Sequence, residues 1–169
     1  MSSSIIICDT SPLFYLHHAG CLDVLAQLYG TVTLPPAVVM ELGAGRKGGW
    51  GGPVVENLSW VKVVPVTSTS LFPAIVDLGA GEVEVIALGL EIRTTNNPDV
   101  TLIMDDQLAR RIADLYQLPY TGTLGIIIKA KQRGLLKQSV REIIQTMQES
   151  GMWLSPAVID SALKLAGEK

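Results

Sequence analysis

Six carboxylates stand where the chain changes character. Asp9 directly follows the apolar run Ile5–Cys8, and Asp105 and Asp106 directly follow a second such run, Thr101–Met104. Glu41 lies on a helical stretch after Thr31–Leu34, Glu82 opens a helix over Gly81–Glu91, and Glu84 follows two residues later. Each has an ordinary reading when taken alone. Asp9 ahead of Thr10-Ser11-Pro12 could serve a turn or a cap, Glu82 could favour a helix dipole, and Glu41 could be solvated. The Asp105-Asp106 pair is harder to set aside, because aspartate is a poor end for a buried apolar run. Carboxylates gathered in one small space raise one another's pKa. A divalent cation removes that penalty, and hard oxygen donors with few histidines favour magnesium or manganese over zinc. Such an ion orients a phosphate, stabilises developing charge and lowers the pKa of an attacking water. That is the chemistry of phosphodiester hydrolysis, and the set of acids carries the inference rather than any one member.

The elements that must position them alternate. Short apolar strands are expected at 4–8, Thr31–Leu34, Trp60–Val66, Thr101–Met104 and Leu118–Thr121. Helices are expected between them. Ser11 and Pro12 are expected to begin one, as N-cap and first helical residue. Leu13 and Leu16, then Leu22, Leu25 and Leu28, fit two short amphipathic helices broken near Gly20. Another starts after Pro35-Pro36, over Ala37–Leu42. Gly43–Pro53 reads as a mobile glycine-rich loop, Ser68–Pro73 as a connection and Thr94–Asp99 as a polar turn. Gln107–Tyr116 and Gly122–Gln132 are helical. Val140, Ile143, Ile144 and Met147 follow i, i+3, i+4, i+7 over Ser139–Glu149. Ser155-Pro156 opens a last helix with Val158, Ile159, Ala162, Leu163 and Ala166. This alternation predicts an α/β chain with right-handed crossovers and a parallel sheet covered on both faces. Ligands gather at the carboxyl ends of such strands, and Asp9 and Asp105 share that edge by construction. A single domain over 1–169 is expected, with a helical extension at about 137–167.

Composition agrees. The 169 residues carry 17% charged and 48% hydrophobic residues but only 5% aromatic, with a net charge of 13 − 16 = −3. An average soluble protein has roughly 25% charged residues, so this chain is no disordered polymer. It has no uniformly apolar stretch of ~20 residues and thus no expected membrane span. The amino terminus lacks a basic region ahead of its apolar run, so no secretory signal is expected. Cys8 and Cys21 fit buried thiols of a cytoplasmic protein. Mild acidity argues against a protein that coats nucleic acid, but not against an enzyme touching it at one place.

Together these residues resemble the PIN-domain superfamily of metal-dependent nucleases, in particular its toxin–antitoxin relatives. The resemblance runs through Ile5–Leu13 with Asp-Thr-Ser-Pro-Leu, Leu-Pro-Pro-x-Val-x-x-Glu-Leu around Glu41, and Gly-x-Gly-Glu-x-Glu-x-Ile-Ala-Leu at 79–88. It continues with Leu-Ile-Met-Asp-Asp-x-x-Ala-Arg at 102–110, Thr-Gly-Thr-Leu-Gly at 121–125 and Ala-Lys-x-x-Gly-Leu-Leu at 130–136. It implies a three-layer α/β/α sandwich with a short central parallel sheet, and a metal-dependent endoribonuclease acting with Mg2+ or Mn2+. It further implies a small antitoxin partner and a homodimer. By position it assigns catalysis to Asp9, Glu41, Glu82 and one of Asp105 and Asp106. The metal would go to Asp9, Glu82 and the Asp105-Asp106 pair, with Glu41 polarising water. Thr10, Ser11, Thr121 and Thr123 would hold water or phosphate. The helix offers Glu82 and Glu84 where this family usually has an Asp, so the inward-facing acid is open between them. Asp105 and Asp106 are likewise open, since successive strand residues face opposite sides. The alternative is a PIN-like binding module with a weak site.

The remaining features point elsewhere only faintly. His17 and His18 are adjacent and face different ways. Arg46, Lys47 and the basic run Lys129, Lys131, Arg133, Lys137 and Arg141 read as solvated charge. Of Arg110 and Arg111, one could pair with a carboxylate. The tryptophans Trp50, Trp60 and Trp153 show no base-stacking pattern. A dehalogenase-type phosphatase needs an Asp where Ser11 stands, and a receiver domain needs an acid pair where only Asp9 occurs.

Overall fold

The two apolar runs that end in aspartates become neighbours in space. In a computed structural model describing residues 4–67, 77–96 and 99–169, β1 (Ile5–Cys8) and β4 (Val100–Ile103) pair in parallel, with Ile5 opposite Val100 and Cys8 opposite Ile103. β2 (Val32–Leu34) flanks β1, β3 (Val61–Val63) flanks β2, and β5 (Tyr120–Thr121) flanks β4. The sheet is therefore wholly parallel, in the order β3-β2-β1-β4-β5. Its direction of growth reverses between β1 and β4, where a parallel sheet opens a crevice at its carboxyl edge.

Helices cover both faces, giving an α/β/α sandwich. Five of them lead through the sheet: α1 (Thr10–His18), α2 (Val24–Tyr29), α3 (Pro36–Lys47), α4 (Ala80–Asn96) and α5 (Gln107–Leu115). α6 (Thr123–Gln132), α7 (Val140–Glu149) and α8 (Pro156–Leu165) follow β5. α1 and α2 pack with α6, α4 packs on β1 and β4 with α5 beside it, and α3 touches both α1 and α4. The strands bury Ile6, Ile7, Val32, Leu34, Leu102 and Ile103, solid aliphatic runs as a sheet covered on both sides requires.

α7 and α8 join the same buried cluster through Ile143, Ile144, Met147, Ala162 and Leu163. α7 begins with a capping box: Ser139 Oγ accepts from Glu142 N at 3.1 Å while Glu142 Oε2 accepts from Ser139 N at 2.9 Å. Near the chain end, Glu168 accepts from Val140 N at 2.7 Å and pairs with Lys131 Nζ at 3.0 Å. Ser139→Ala is expected to cost about 1 kcal/mol, as loss of an N-cap does. Urea denaturation checks this: a shift of the midpoint with an unchanged slope is the expected result.

Three local expectations are corrected. α1 starts at Thr10 with Asp9 in the N-cap position, not at Pro12 behind Ser11. Pro12 still lies in the first turn, where its missing N–H is no loss. α3 runs on through Gly43 and Gly45 to Lys47, so half of the expected glycine loop is helix. Burial of Leu42 and a 2.6 Å bond from Arg46 Nη1 to Pro53 O hold that turn closed. Within this segment the backbone calls for glycine from Gly49 to Gly52, with φ of 85°, 79° and 117° at Gly49, Gly51 and Gly52. α4 reaches Asn96, into the expected polar turn, because Thr94 and Thr95 hydroxyls bond to Leu90 O and Glu91 O at 2.6 and 2.8 Å. The connection expected at Ser68–Pro73 falls outside the described residues. Among the described residues, no helix is long and apolar enough to cross a membrane.

Candidate active site

β1 delivers Asp9 to the sheet edge. Its backbone N donates to Ile103 O at 2.9 Å, which extends the β1–β4 ladder by one residue and sets Asp9 beside the end of β4. The Asp9 carboxylate makes no capping hydrogen bond to α1, although Asp9 holds the N-cap position. The residue is 1% exposed. Its Oδ1 is, among the described residues, the buried side-chain oxygen or nitrogen that lacks a hydrogen-bond partner. A buried acceptor left this way costs about 1–3 kcal/mol, more if charged, and such an orphan calls for a ligand or a functional explanation.

The other acids close around it. Glu41, on α3, is fixed from two sides: Thr10 Oγ1 donates to its Oε2, and Gly81 N donates to its Oε1 at 2.8 Å. Gly79 and Gly81 are glycine because the acids occupy the space beside them. A Cβ on Gly81 would lie 2.5 Å from Glu41 Oε2 and 3.1 Å from Asp9 Oδ1, and one on Gly79 would collide with Glu82 Oε2. Asp105 accepts from Thr123 N at 2.8 Å and from Thr123 Oγ1 at 2.6 Å, and its Oδ1 lies 3.8 Å from Arg110 Nη2. Arg110 is braced in turn, with Nε donating to Met104 O at 3.0 Å and its guanidinium over the Tyr120 ring at 5.4 Å.

These geometries separate the two ambiguous pairs. Glu82 turns toward the acids, whereas Glu84 Oε2 accepts from Ala37 N at 2.8 Å and so ties the start of α3 to α4. Asp106 caps α5 by accepting from Ala109 N at 2.8 Å, while Asp105 is clamped by Thr123. Asp106 still contributes, since its charge acts on Glu82.

The electrostatics follow from the crowding. Burial pushes the Asp9 carboxyl up to about 8, and the Glu82, Glu41 and Asp105 charges push the same way, against a backbone bond from Thr10. Glu82 is raised too, first by burial and then by the carboxylates of Glu41 and Asp106. Beneath them, burial and then the charges of Asp9 and Asp105 drive the Cys8 thiol far upward, which leaves it an inert core thiol.

A cavity of about 660 Å³ opens over this edge, lined by Ser11, Glu82, Asp105, Asp106 and Arg110. Met152, Trp153, Leu154 and Val158 line it as well. A smaller one of about 130 Å³ adjoins it, lined by Thr10, Ser11 and Glu41 among others. Asp9, Glu41, Glu82, Asp105 and Asp106 thus come together with Thr10, Ser11 and Thr123. Thr121 does not line either cavity; its hydroxyl turns against Gly125 in α6. Trp153 had no signal in the sequence, since nothing local links the α7–α8 turn to the carboxyl edge of the sheet.

A divalent cation fits this donor set. The acids are hard oxygens, Arg110 is the cation paired with them among the described residues, and the buried Asp9 Oδ1 has no hydrogen-bond partner there. Among the described residues no three His, Cys, Asp or Glu side chains already stand in a ligand array. Glu41 and Asp105 instead direct oxygens to Thr10, Gly81 and Thr123. The profile of a family described as a PIN domain matches residues 5–168 of the chain. No curated protein matches it.

Proposed function

The chain belongs to the PIN-domain family, whose members are generally metal-dependent nucleases, and from that premise we propose that it is an endoribonuclease using Mg2+ or Mn2+. The observation that carries this reading is the orphaned Asp9 Oδ1, buried beside Glu41, Glu82 and Asp105. Asp9, Glu82 and Asp105 are the residues that would hold the cation, with Asp106 at the rim. When bound, it supplies charge neutralisation, orients the phosphate and acidifies the attacking water.

The chain's own groups do the rest. Thr10 and the Gly81 amide hold Glu41 rigidly, with its carboxylate facing the smaller cavity, where it takes the proton of a water that attacks phosphorus as the P–O bond to the leaving ribose oxygen breaks and that oxygen gains a proton from solvent. Thr123 keeps Asp105 from swinging out. Arg110 balances negative charge as a second anionic group enters. Ser11, at the cavity wall, donates to a phosphate oxygen. RNA as substrate, a toxin role restrained by a small antitoxin, and a homodimer belong to the same proposal and are supported by the motif series shared with toxin relatives.

The direct test is cleavage of a mixed single-stranded RNA pool with added manganese, with and without chelator, in wild type and two variants. Glu82→Gln is expected to lower the rate roughly 100-fold, within the range for loss of one preorganised electrostatic group. Glu84→Gln is expected to keep the rate and cost about 1 kcal/mol of stability through the weakened bond to Ala37 N. Equal losses for both would refute the assignment of Glu82. Wild type that leaves RNA intact in manganese would favour the binding-module alternative.

A further inference from the structure

Trp153 is 84% exposed, yet it lines the same cavity as Glu82, Asp105 and Asp106. Tryptophan is highly buried on average, so an indole left in water beside an acidic cleft needs a reason. The core is not closed to it by accident. Met152 and Leu154, its neighbours on both sides, turn inward onto the hydrophobic cluster. In extended chain the residue between them must then face out. The turn that carries it is braced at both ends: Met152 N donates to Met147 O at 3.0 Å, and Ser155 Oγ accepts from Val158 N at 3.3 Å, capping α8. The ring is thus presented on a fixed mount.

The charged lining of the same cavity has another character. Arg110 is the cation among the described residues lining the cavity, and it stands with the acids. With a divalent cation held by the acids, that part of the cavity takes an anion beside Arg110, and Trp153 offers a flat apolar ring in the same cavity. A nucleotide unit of a single strand suits both, and base–aromatic stacking tolerates any base. We propose that Trp153 is a stacking platform for a nucleobase of the strand whose backbone lies along the acids. Where the phosphate sits rests on the nuclease reading; the stacking itself needs no cleavage.

The test measures binding of a short single-stranded RNA in calcium, beside a backbone of equal length that lacks bases. Trp153→Ala is expected to weaken binding of the base-bearing strand roughly 5- to 100-fold and to leave the abasic strand unchanged. Trp153→Phe, which keeps an aromatic face, is expected to retain most of the affinity. Trp50→Ala, which removes another exposed indole outside the cavity, serves as the control and is expected to bind like wild type. Equal affinity of wild type and Trp153→Ala for the base-bearing strand overturns the proposal, and so does an equal loss with the abasic strand. Loss of self-association in Trp153→Ala without loss of RNA affinity also overturns it and assigns the face to a second copy. Wild type that binds through Trp153 but never cleaves refutes the nuclease reading and leaves this inference standing. Wild type that cleaves yet binds base-bearing and abasic strands alike refutes the inference alone.

Discussion

Asp9→Asn is expected to abolish metal-dependent cleavage, lowering the rate roughly 100-fold or more. The change preserves shape and one carbonyl oxygen but removes the charge. Asp9 feels Glu82, Glu41 and Asp105 at once, and no other buried side-chain oxygen among the described residues is left without a partner. A neighbouring carboxylate cannot replace it, because Glu41 is tied to Thr10 and Gly81 while Asp105 is tied to Thr123. The metal-free variant is expected to be more stable than wild type, since it no longer buries a group that repels its neighbours when ionised. Opposite signs for activity and stability distinguish a functional acid from a structural one. Manganese-dependent cleavage measured beside urea denaturation of the metal-free protein decides the matter. Full activity in Asp9→Asn, or a large loss of stability, would refute the role given to Asp9.

The second large effect is on stability against pH. The Asp9 carboxyl sits at about 8 in the native protein against an ordinary value of 3.8, so the native state keeps a proton that the unfolded state releases. Between about pH 4 and pH 8 the folded protein therefore binds more protons, and stability falls as pH rises, by up to about 1.4 kcal/mol per pH unit for one such group. Below that window both states are protonated, and above it both are ionised, so the loss levels off. Glu82, also raised, adds to the fall. A cation that binds the ionised acids reverses the trend. At a concentration 100 times its Kd it contributes about 2.7 kcal/mol, or roughly 5–10 °C in Tm for a chain of this size. The manganese-induced rise is expected to be large at pH 8 and small at pH 5, and to vanish in Asp9→Asn. Thermal melts at the two pH values, with and without manganese, provide the check; a rise that is the same at both would contradict this account.

The amino-acid sequence by itself determined the alternation of strands and helices, and with it the edge to which the acids go. Solid aliphatic runs such as Ile5–Cys8 and Val100–Ile103 are sufficient for a covered parallel sheet, and parallel strands put Asp9 and Asp105 at one end whatever the loops do. Local chemistry was equally plain at Ser155, where a hydroxyl and the backbone three residues on make a cap without outside help. The tertiary structure alone decided which carboxylate of each pair faces inward. Glu82 and Glu84 differ by two positions on one helix, and only the packing of α3 against α4 gives Glu84 the Ala37 amide to bind. Asp105 and Asp106 are separated by the approach of Thr123 from a strand and a helix later in the chain. The glycine segment became helix through burial of Leu42 in the core and a bond from Arg46 to Pro53 O, neither of which the glycine pattern shows. Trp153 reached the cleft for the same reason. A side chain's neighbours across the fold are set by packing energies between distant segments, which no short stretch of residues encodes.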